Sequence, residues 1–120
     1  ILATWLARTD TDVDAGAAAL ADGDAEKALT FFDAAIARMG ALPELDYDRG
    51  LALMGTGDLE GAKLAFERGS ESPREDVRAS SHYQLGNLAF DTENWDQAIA
   101  SYKECLRASP DHLNAKWNLE

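Results

Sequence analysis

Three stretches of the chain carry the same set of small and aromatic residues at the same internal spacing. The copies are Gly16, Ala28, Phe32, Ala35; Gly50, Ala62, Phe66, Gly69; and Gly86, Ala98, Tyr102, Cys105. Each copy has internal steps of 12, 4 and 3 residues, and successive glycines lie 34 and 36 residues apart. A period of this length is typical of solenoids, in which each unit buries its apolar face only against its neighbours. The pattern therefore favours a binding surface over an enzyme.

Composition supports one helical domain with an acidic surface. The 120 residues are 46% hydrophobic, contain only three prolines and show no strand-like alternation of polarity. The formal net charge is −11, from 22 acidic and 11 basic residues. This charge argues against nucleic-acid and anionic-membrane partners, because no basic stripe is present to meet phosphates. Two interpretations remain, a solvated exterior or a preference for basic partners.

The sequence offers little for catalysis or for a bound metal or cofactor. One cysteine excludes an internal disulfide and a multi-cysteine zinc site. Asp10, Asp12 and Asp14 have the spacing of a calcium loop, but Ala15 and Ala21 replace the glycine and glutamate that such a loop needs. No phosphate-binding loop or hydrolase motif occurs. We therefore expect no enzyme activity, no metal and no cofactor.

Cys105 and His82 could in principle form a nucleophile pair. The small-residue position of Cys105 favours a buried, inert thiol instead. We expect His82 to fill a packing position and His112, after a proline turn, to be solvated.

Turn and cap residues predict three helix pairs and a short last helix. The predicted ranges are 10–22, 24–39, 43–55, 58–70, 73–91 and 95–108, followed by a helix from Pro110. Capping boxes are expected at Thr9–Asp12, at Ser72–Glu75 and at Asn94–Gln97. Because the Ser72 cap comes early, the first helix of the third pair should be about two turns longer than its counterparts.

At these positions the chain resembles the tetratricopeptide repeat family. The third copy, 79–112, matches the family skeleton through Leu85, Gly86, Ala89, Ala98, Tyr102 and Pro110. The resemblance implies an all-α, right-handed α-α superhelix of three helix pairs with a C-terminal capping helix. The implied organisation is a preceding helix end or linker at 1–8, repeats at 9–42, 43–76 and 77–112 (its first helix starting near 73), and the start of the capping helix at 113–120.

Some residues depart from the family pattern. Asp12, Asp46 and His82 stand where the family usually has a large residue, and Arg49 replaces a leucine. We expect Arg49 to pair with Asp46, one helical turn away. In the family, the glycine and alanine positions let the two helices of a pair approach closely, and we expect the aromatic residue to fill the gap between a pair and its neighbour.

The resemblance also implies a concave groove lined by the first helix of each pair. The positions in this chain are Asp10, Val13, Asp14, Ala17, Leu20, Glu44, Tyr47, Asp48, Leu51, Met54, Ser80, Tyr83, Gln84, Asn87, Phe90 and Asp91. This acidic and aromatic surface suits a protein or peptide with apolar anchors and basic flanks. Alternatively, Leu20, Leu51 and Met54 merely pack between helices.

One group of partners is not expected. Family members that bind the acidic C-termini of heat-shock chaperones use basic and amide residues, where this chain has Val13, Ala17, Asp48, Ser80 and Gln84. The sequence therefore predicts no carboxylate clamp.

One further resemblance bears on the compartment and the context of the chain. Segments 83–88 and 115–120 resemble repeats of bacterial Bat-type aerotolerance proteins, which favours a periplasmic or membrane-tethered part of a larger bacterial protein. Residues 1–7 are apolar but too short to span a bilayer, and read as the last turn of a preceding helix or the end of a membrane segment. The function expected is a protein–protein interaction scaffold. The alternative is a spacer or self-assembly module that stacks through Ile1–Ala7 and Trp117–Leu119.

Overall fold

The computed structural model describes residues 10–120, and within that range the secondary structure is entirely helical. Seven helices follow one another: α1 (Thr11–Ala21), α2 (Ala25–Met39), α3 (Pro43–Thr56), α4 (Leu59–Gly69), α5 (Glu75–Asp91), α6 (Trp95–Ala108) and α7 (Leu113–Leu119). The first six lie within two residues of the predicted bounds. The all-helical fold is confirmed. The expectations for residues 1–8 and for a Thr9 cap lie outside the described residues.

Most helices begin at a side-chain cap that the sequence shows. Asp58 accepts a hydrogen bond from the Gly61 amide at 2.9 Å, and Asn94 accepts one from the Gln97 amide at 3.4 Å. Asp10 caps α1, accepting from the amides of Asp12 and Val13. These caps satisfy N–H groups that have no partner inside the helix, so each of them fixes where its helix starts.

Two of the predicted capping boxes are wrong in detail. Ser72 lies two residues before the N-cap of α5, which is Arg74, and its buried hydroxyl accepts from the Arg74 amide at 3.1 Å. Helix α5 therefore starts at Glu75 and has 17 residues, against 11 in α1 and 14 in α3. It is longer by nearly two turns than α1 and by about one turn than α3. Gln97 does not reach back to its cap, because its side-chain amide donates to Ser101.

The last helix begins later than the Pro110 start predicted from the turn residues. It starts at Leu113, after a turn that includes Pro110. His112 is its N-cap, and the ring Nδ1 accepts from the Ala115 amide at 3.2 Å. The expectation of a solvated His112 is therefore wrong, since the half-buried ring is held at the helix end and stacks on Tyr83.

Each helix pair is closed by the same contact between a glycine and an aromatic ring. A Cβ atom placed on Gly16 would lie 2.6 Å from the Phe32 ring, and one on Gly50 would lie 2.6 Å from the Phe66 ring. In the third pair, a Cβ on Gly86 would lie 2.5 Å from the Tyr102 ring. The aromatic residue therefore packs inside its own pair, against the backbone of the first helix. Phe32 and Phe66 also pack towards the next pair, against Ala52 and Leu88, so this contact within each pair adds to the expected packing between pairs.

Neighbouring pairs are joined by smaller apolar residues. Leu29 of α2 packs against the apolar clusters of both the first and the second pair. Ala52 of α3 packs with Phe32 in the first cluster, and Leu88 of α5 packs with Phe66 in the second. Helix α7 covers the end of the third pair, where Ala115 is fully buried. The core is therefore a continuous row of clusters along the stack, as expected for a solenoid.

Arg49 does not pair with Asp46. Its Nε donates to the Asp33 carboxylate at 2.6 Å, across the boundary between the first and second pairs. Asp46 is buried, at 5% exposed, and burial raises the pKa of its carboxyl group. The ion pair thus links two repeats instead of bracing one helix.

The glycine–aromatic contact makes a testable prediction for stability. Gly50→Ala should lower the free energy of unfolding by about 1–2 kcal/mol, because the new methyl group displaces a buried ring. This loss is net of a helix-propensity gain of about 1 kcal/mol. Urea unfolding of the chain measures the difference.

The control replaces the ring. Adding Gly50→Ala to a Phe66→Leu background should cost less than adding it to the natural chain, because the smaller side chain leaves room for the methyl group. Equal costs in both backgrounds would contradict a direct contact between Gly50 and the ring.

Candidate partner-binding groove

A depression between α3 and α5 brings together four of the residues that the sequence predicted for the groove. It has a volume of about 240 Å³. Its lining residues are Glu44, Tyr47, Asp48, Arg74, Asp76, Val77 and Ser80. Sequence reasoning missed Arg74, Asp76 and Val77, because it treated 72–75 as a cap and did not extend the groove to the first turn of α5. This depression is the groove.

Two carboxylates give the groove its electrostatic character. Glu44 and Asp48 lie one turn apart on α3, so their side chains share one face. Burial, reinforced by the negative charge of Glu44, raises the pKa of Asp48 to about 6. Neither carboxylate forms an ion pair with any side chain of residues 10–120. The groove therefore holds negative charge that the described part of the chain leaves unneutralised.

The one cation in the groove is already engaged. Arg74 donates from Nε at 3.1 Å and from Nη2 at 2.6 Å to the two carboxylate oxygens of Asp76. This bidentate pair lowers the pKa of Asp76. Arg74 is thus bound to Asp76 and forms no ion pair with Asp48.

Tyr47 forms the aromatic wall of the groove. Its ring packs on Phe66 with centroids 5.6 Å apart, so the position of the ring is fixed by the core. Burial raises the pKa of its hydroxyl, and the polar neighbours Gln84 and Ser80 partly oppose that rise. Tyr47 of α3 thus lies next to side chains of α5, and its neighbour Gln84 lies close to the groove.

The predicted residues of the third pair are largely engaged in internal contacts. Tyr83 packs between the rings of Tyr102, at 6.0 Å, and His112, at 4.7 Å. Asn87 accepts a hydrogen bond from the Tyr102 hydroxyl at 2.6 Å, and Asn118 of α7 lies 3.4 Å from the same oxygen. These contacts fix α7 on the third pair.

Asp10, at the other end of the predicted surface, is also engaged. Arg38 donates to both of its carboxylate oxygens at 2.8 Å, and a further bond at 2.5 Å joins Arg38 to Asp12. The hydrogen bonds from Arg38 lower the pKa of Asp10 to about 2. Asp10 therefore serves chiefly as a cap and an interhelical ion pair.

The remaining predicted positions divide by exposure. Asp14, Ala17 and Asp91 are exposed, and Val13 is half-buried. Leu20, Leu51 and Met54 pack against the apolar clusters, which favours the alternative interpretation for these three.

Phe90 is 48% exposed, and the Trp95 ring packs edge-on against it at 5.1 Å. Trp95 is itself 52% exposed and was not predicted as a surface residue. Its position at the start of α6 is the one feature of the sequence that could have indicated its exposure.

The surroundings of Cys105 and His82 oppose a reactive thiolate. Cys105 is fully buried, and burial raises the pKa of its thiol to about 11. Burial also lowers the pKa of the half-buried His82, with partial opposition from Glu104. Within residues 10–120 no cluster of three or more potential metal ligands occurs. In the same range, no helix has the length and apolar character needed to cross a membrane.

Comparison with known families identifies the repeat. Residues 79–112 match the family model described as tetratricopeptide repeat. The match runs from Ala79, inside α5, through α6 to His112 in the turn after it. The match covers less than a third of the chain, and together with the repeated helix pairs it supports a tetratricopeptide-type helical repeat. No curated protein matches the chain significantly.

Tetratricopeptide repeats are in general modules for protein–protein interaction and not catalytic units. This general role agrees with a groove that carries charge and an aromatic wall but no reactive group.

The raised pKa of Asp48 makes a prediction for stability. Between about pH 4 and pH 6 the folded chain holds the Asp48 proton more tightly than the unfolded chain, so stability falls as pH rises through that window. Asp48→Asn should therefore raise the free energy of unfolding at pH 7.5 by about 1–2 kcal/mol.

Urea unfolding at pH 5 and pH 7.5 measures this gain, which should shrink at the lower pH. The exposed Asp22→Asn variant is the matched control and should show no such pH-dependent gain. A loss of stability in Asp48→Asn at pH 7.5 would contradict the assignment.

Proposed function

We propose that the chain is an interaction scaffold whose groove binds a peptide or helix of a partner protein through basic and apolar residues. The supporting observation is the Glu44–Asp48 pair beside the wall formed by Tyr47, with no cation of the described chain bonded to either carboxylate. A lysine or arginine of a partner would supply the missing charge, and an apolar neighbour would pack on the tyrosine ring.

The chemistry of the groove argues against an acidic partner. An approaching carboxylate would meet Glu44 and the half-buried Asp48, and would raise the free-energy cost of ionising both. The only cation in the lining, Arg74, already binds both of its partner's oxygens. We therefore propose that the groove does not act as a clamp for acidic C-termini, and that nucleic acids are not its ligands.

A peptide selection tests the groove. Peptides displayed in a random library and selected on the natural chain should carry lysine or arginine next to an apolar residue. Their dissociation constants should rise about 10-fold or more with Asp48→Asn, because a charge-assisted contact is lost. Since this variant is expected to be more stable than the natural chain at pH 7.5, weaker binding cannot come from unfolding.

The pH dependence and a control sharpen the selection experiment. Binding should weaken as pH falls from 7 to 5, because Asp48 takes up a proton near pH 6. Asp22→Asn, which makes the same charge change at an exposed turn, should leave affinity unchanged. Selected peptides that are acidic, or that bind Asp48→Asn as well as the natural chain, would overturn the proposal.

A second candidate is self-assembly through the C-terminal end of the stack. On α7, Leu113 is 67% exposed and Trp117 is 72% exposed, whereas Leu119 packs against the third pair. Exposed side chains of this size at the end of a solenoid are typical of a face that stacks on another unit.

Sedimentation equilibrium separates the two candidates. Self-assembly predicts that the mass of the chain rises with concentration and that Trp117→Ser removes the rise. A mass that stays monomeric across the concentration range would contradict self-assembly and would leave the groove proposal unaffected.

A further inference from the structure

A second concave surface lies on a different face of α5 from the groove. It is a trough bounded by α4 and α6, with a cavity of about 580 Å³ and an adjoining cavity of about 240 Å³. Both cavities share Glu67, Leu85 and Gln97, so they form one continuous surface. Because α5 advances by about 100° per residue, His82 and Leu85 face the trough while Val77 and Ser80 face the groove.

The trough has an apolar centre that solvent can reach. Leu85 and Leu88 of α5 contribute to its floor. Leu59 at the start of α4 is 46% exposed, and Ile99 on α6 is 44% exposed. These two side chains stand on opposite walls, and neither is part of the packed clusters of the core. A partner could therefore cover apolar area here without disturbing the fold.

The charges that line the trough are predominantly negative. Glu104 and Arg107 form an ion pair with each other. The other charged lining residues are Glu60, Lys63, Glu67, Glu71, Asp96 and Lys103. Four carboxylates therefore stand against two lysines, and none of these six is part of an ion pair within residues 10–120. A partner with basic residues would therefore complement the charge of this surface.

We propose that the trough is a second docking surface, which takes an amphipathic helix with a basic polar face from a partner protein. The wall from Asp96 to Arg107 is about 16 Å long, the length of a three-turn helix. A helix lying between α4 and α6 would place one apolar stripe on Leu85 and Ile99 and its basic flanks beside the carboxylates. This arrangement follows the helix-in-groove mode of peptide recognition. It is independent of the groove, because the two surfaces share no lining residue.

Two synthetic helical peptides test the trough. The first, of 14 residues with capped ends, carries a leucine stripe flanked by lysines, and the second carries the same stripe flanked by glutamates. Fluorescence anisotropy of labelled peptides should show the lysine peptide binding the natural chain about 10-fold or more tightly than the glutamate peptide.

Matched variants on the protein locate the binding. Ile99→Lys, within the trough, should weaken the lysine peptide about 10-fold or more, because it removes an apolar anchor and adds a like charge. Leu64→Lys makes the same kind of change at a leucine on α4 that is 57% exposed and outside the trough lining, and should leave binding unchanged. Circular dichroism checks that both variants remain folded.

An amide NMR titration of the natural chain gives a readout that needs no variant. The lysine peptide should shift the amide signals of Ala100 and Ser101 more than those of Tyr47 and Asp48. The trough proposal would be overturned by any of three results. These are shifts confined to Tyr47 and Asp48, equal binding to Ile99→Lys and Leu64→Lys, and no preference for the lysine peptide. None of these results would decide the groove proposal, which Asp48→Asn tests separately.

Discussion

The close approach of a glycine backbone to an aromatic ring is the contact on which the rest of the structure depends. Gly16 with Phe32, Gly50 with Phe66 and Gly86 with Tyr102 close the three helix pairs in nearly the same geometry. The rings of Phe32, Phe66 and Tyr102 are almost fully buried, so each contact fixes the distance between two helices. Because every pair is closed in the same way, the pairs stack with their first helices side by side.

This stacking produces two chemically different surfaces from one helix. Helix α5 contributes Val77 and Ser80 to the groove with α3, and His82 and Leu85 to the trough between α4 and α6. The groove is dominated by a half-buried carboxylate pair and a tyrosine wall, whereas the trough is a longer apolar surface with acidic margins. Under the two proposals the surfaces would not compete for a partner, because they share no lining residue.

Much of the fold could be predicted from the sequence because its signals are local. Asp58 and Asn94 cap their helices through bonds that span three residues, so the helix starts could be inferred without tertiary information. The partner of Arg49 could not be inferred in this way. Asp33 lies 16 residues away on another repeat, whereas Asp46 is nearer in the sequence and was the expected partner. The displaced cap at Ser72 likewise depends on a buried hydroxyl, which a pattern of residue types does not reveal.

The candidate site was predictable in part for the same reason. The first helix of each pair has fixed positions that line the groove in the family. The structure brings together four residues at such positions, Glu44, Tyr47, Asp48 and Ser80. Asn87 was indistinguishable from them in sequence, yet its oxygen accepts the Tyr102 hydroxyl. Which polar groups stay available for a partner is decided by tertiary contacts, and those follow from how the pairs are closed.

The most direct test of this account is a nuclear Overhauser measurement between glycine α protons and aromatic ring protons in the natural chain. The account predicts strong cross-peaks for Gly16 with Phe32, Gly50 with Phe66 and Gly86 with Tyr102. Rings that instead show cross-peaks mainly to the helices of a neighbouring pair, with none to these glycines, would contradict it.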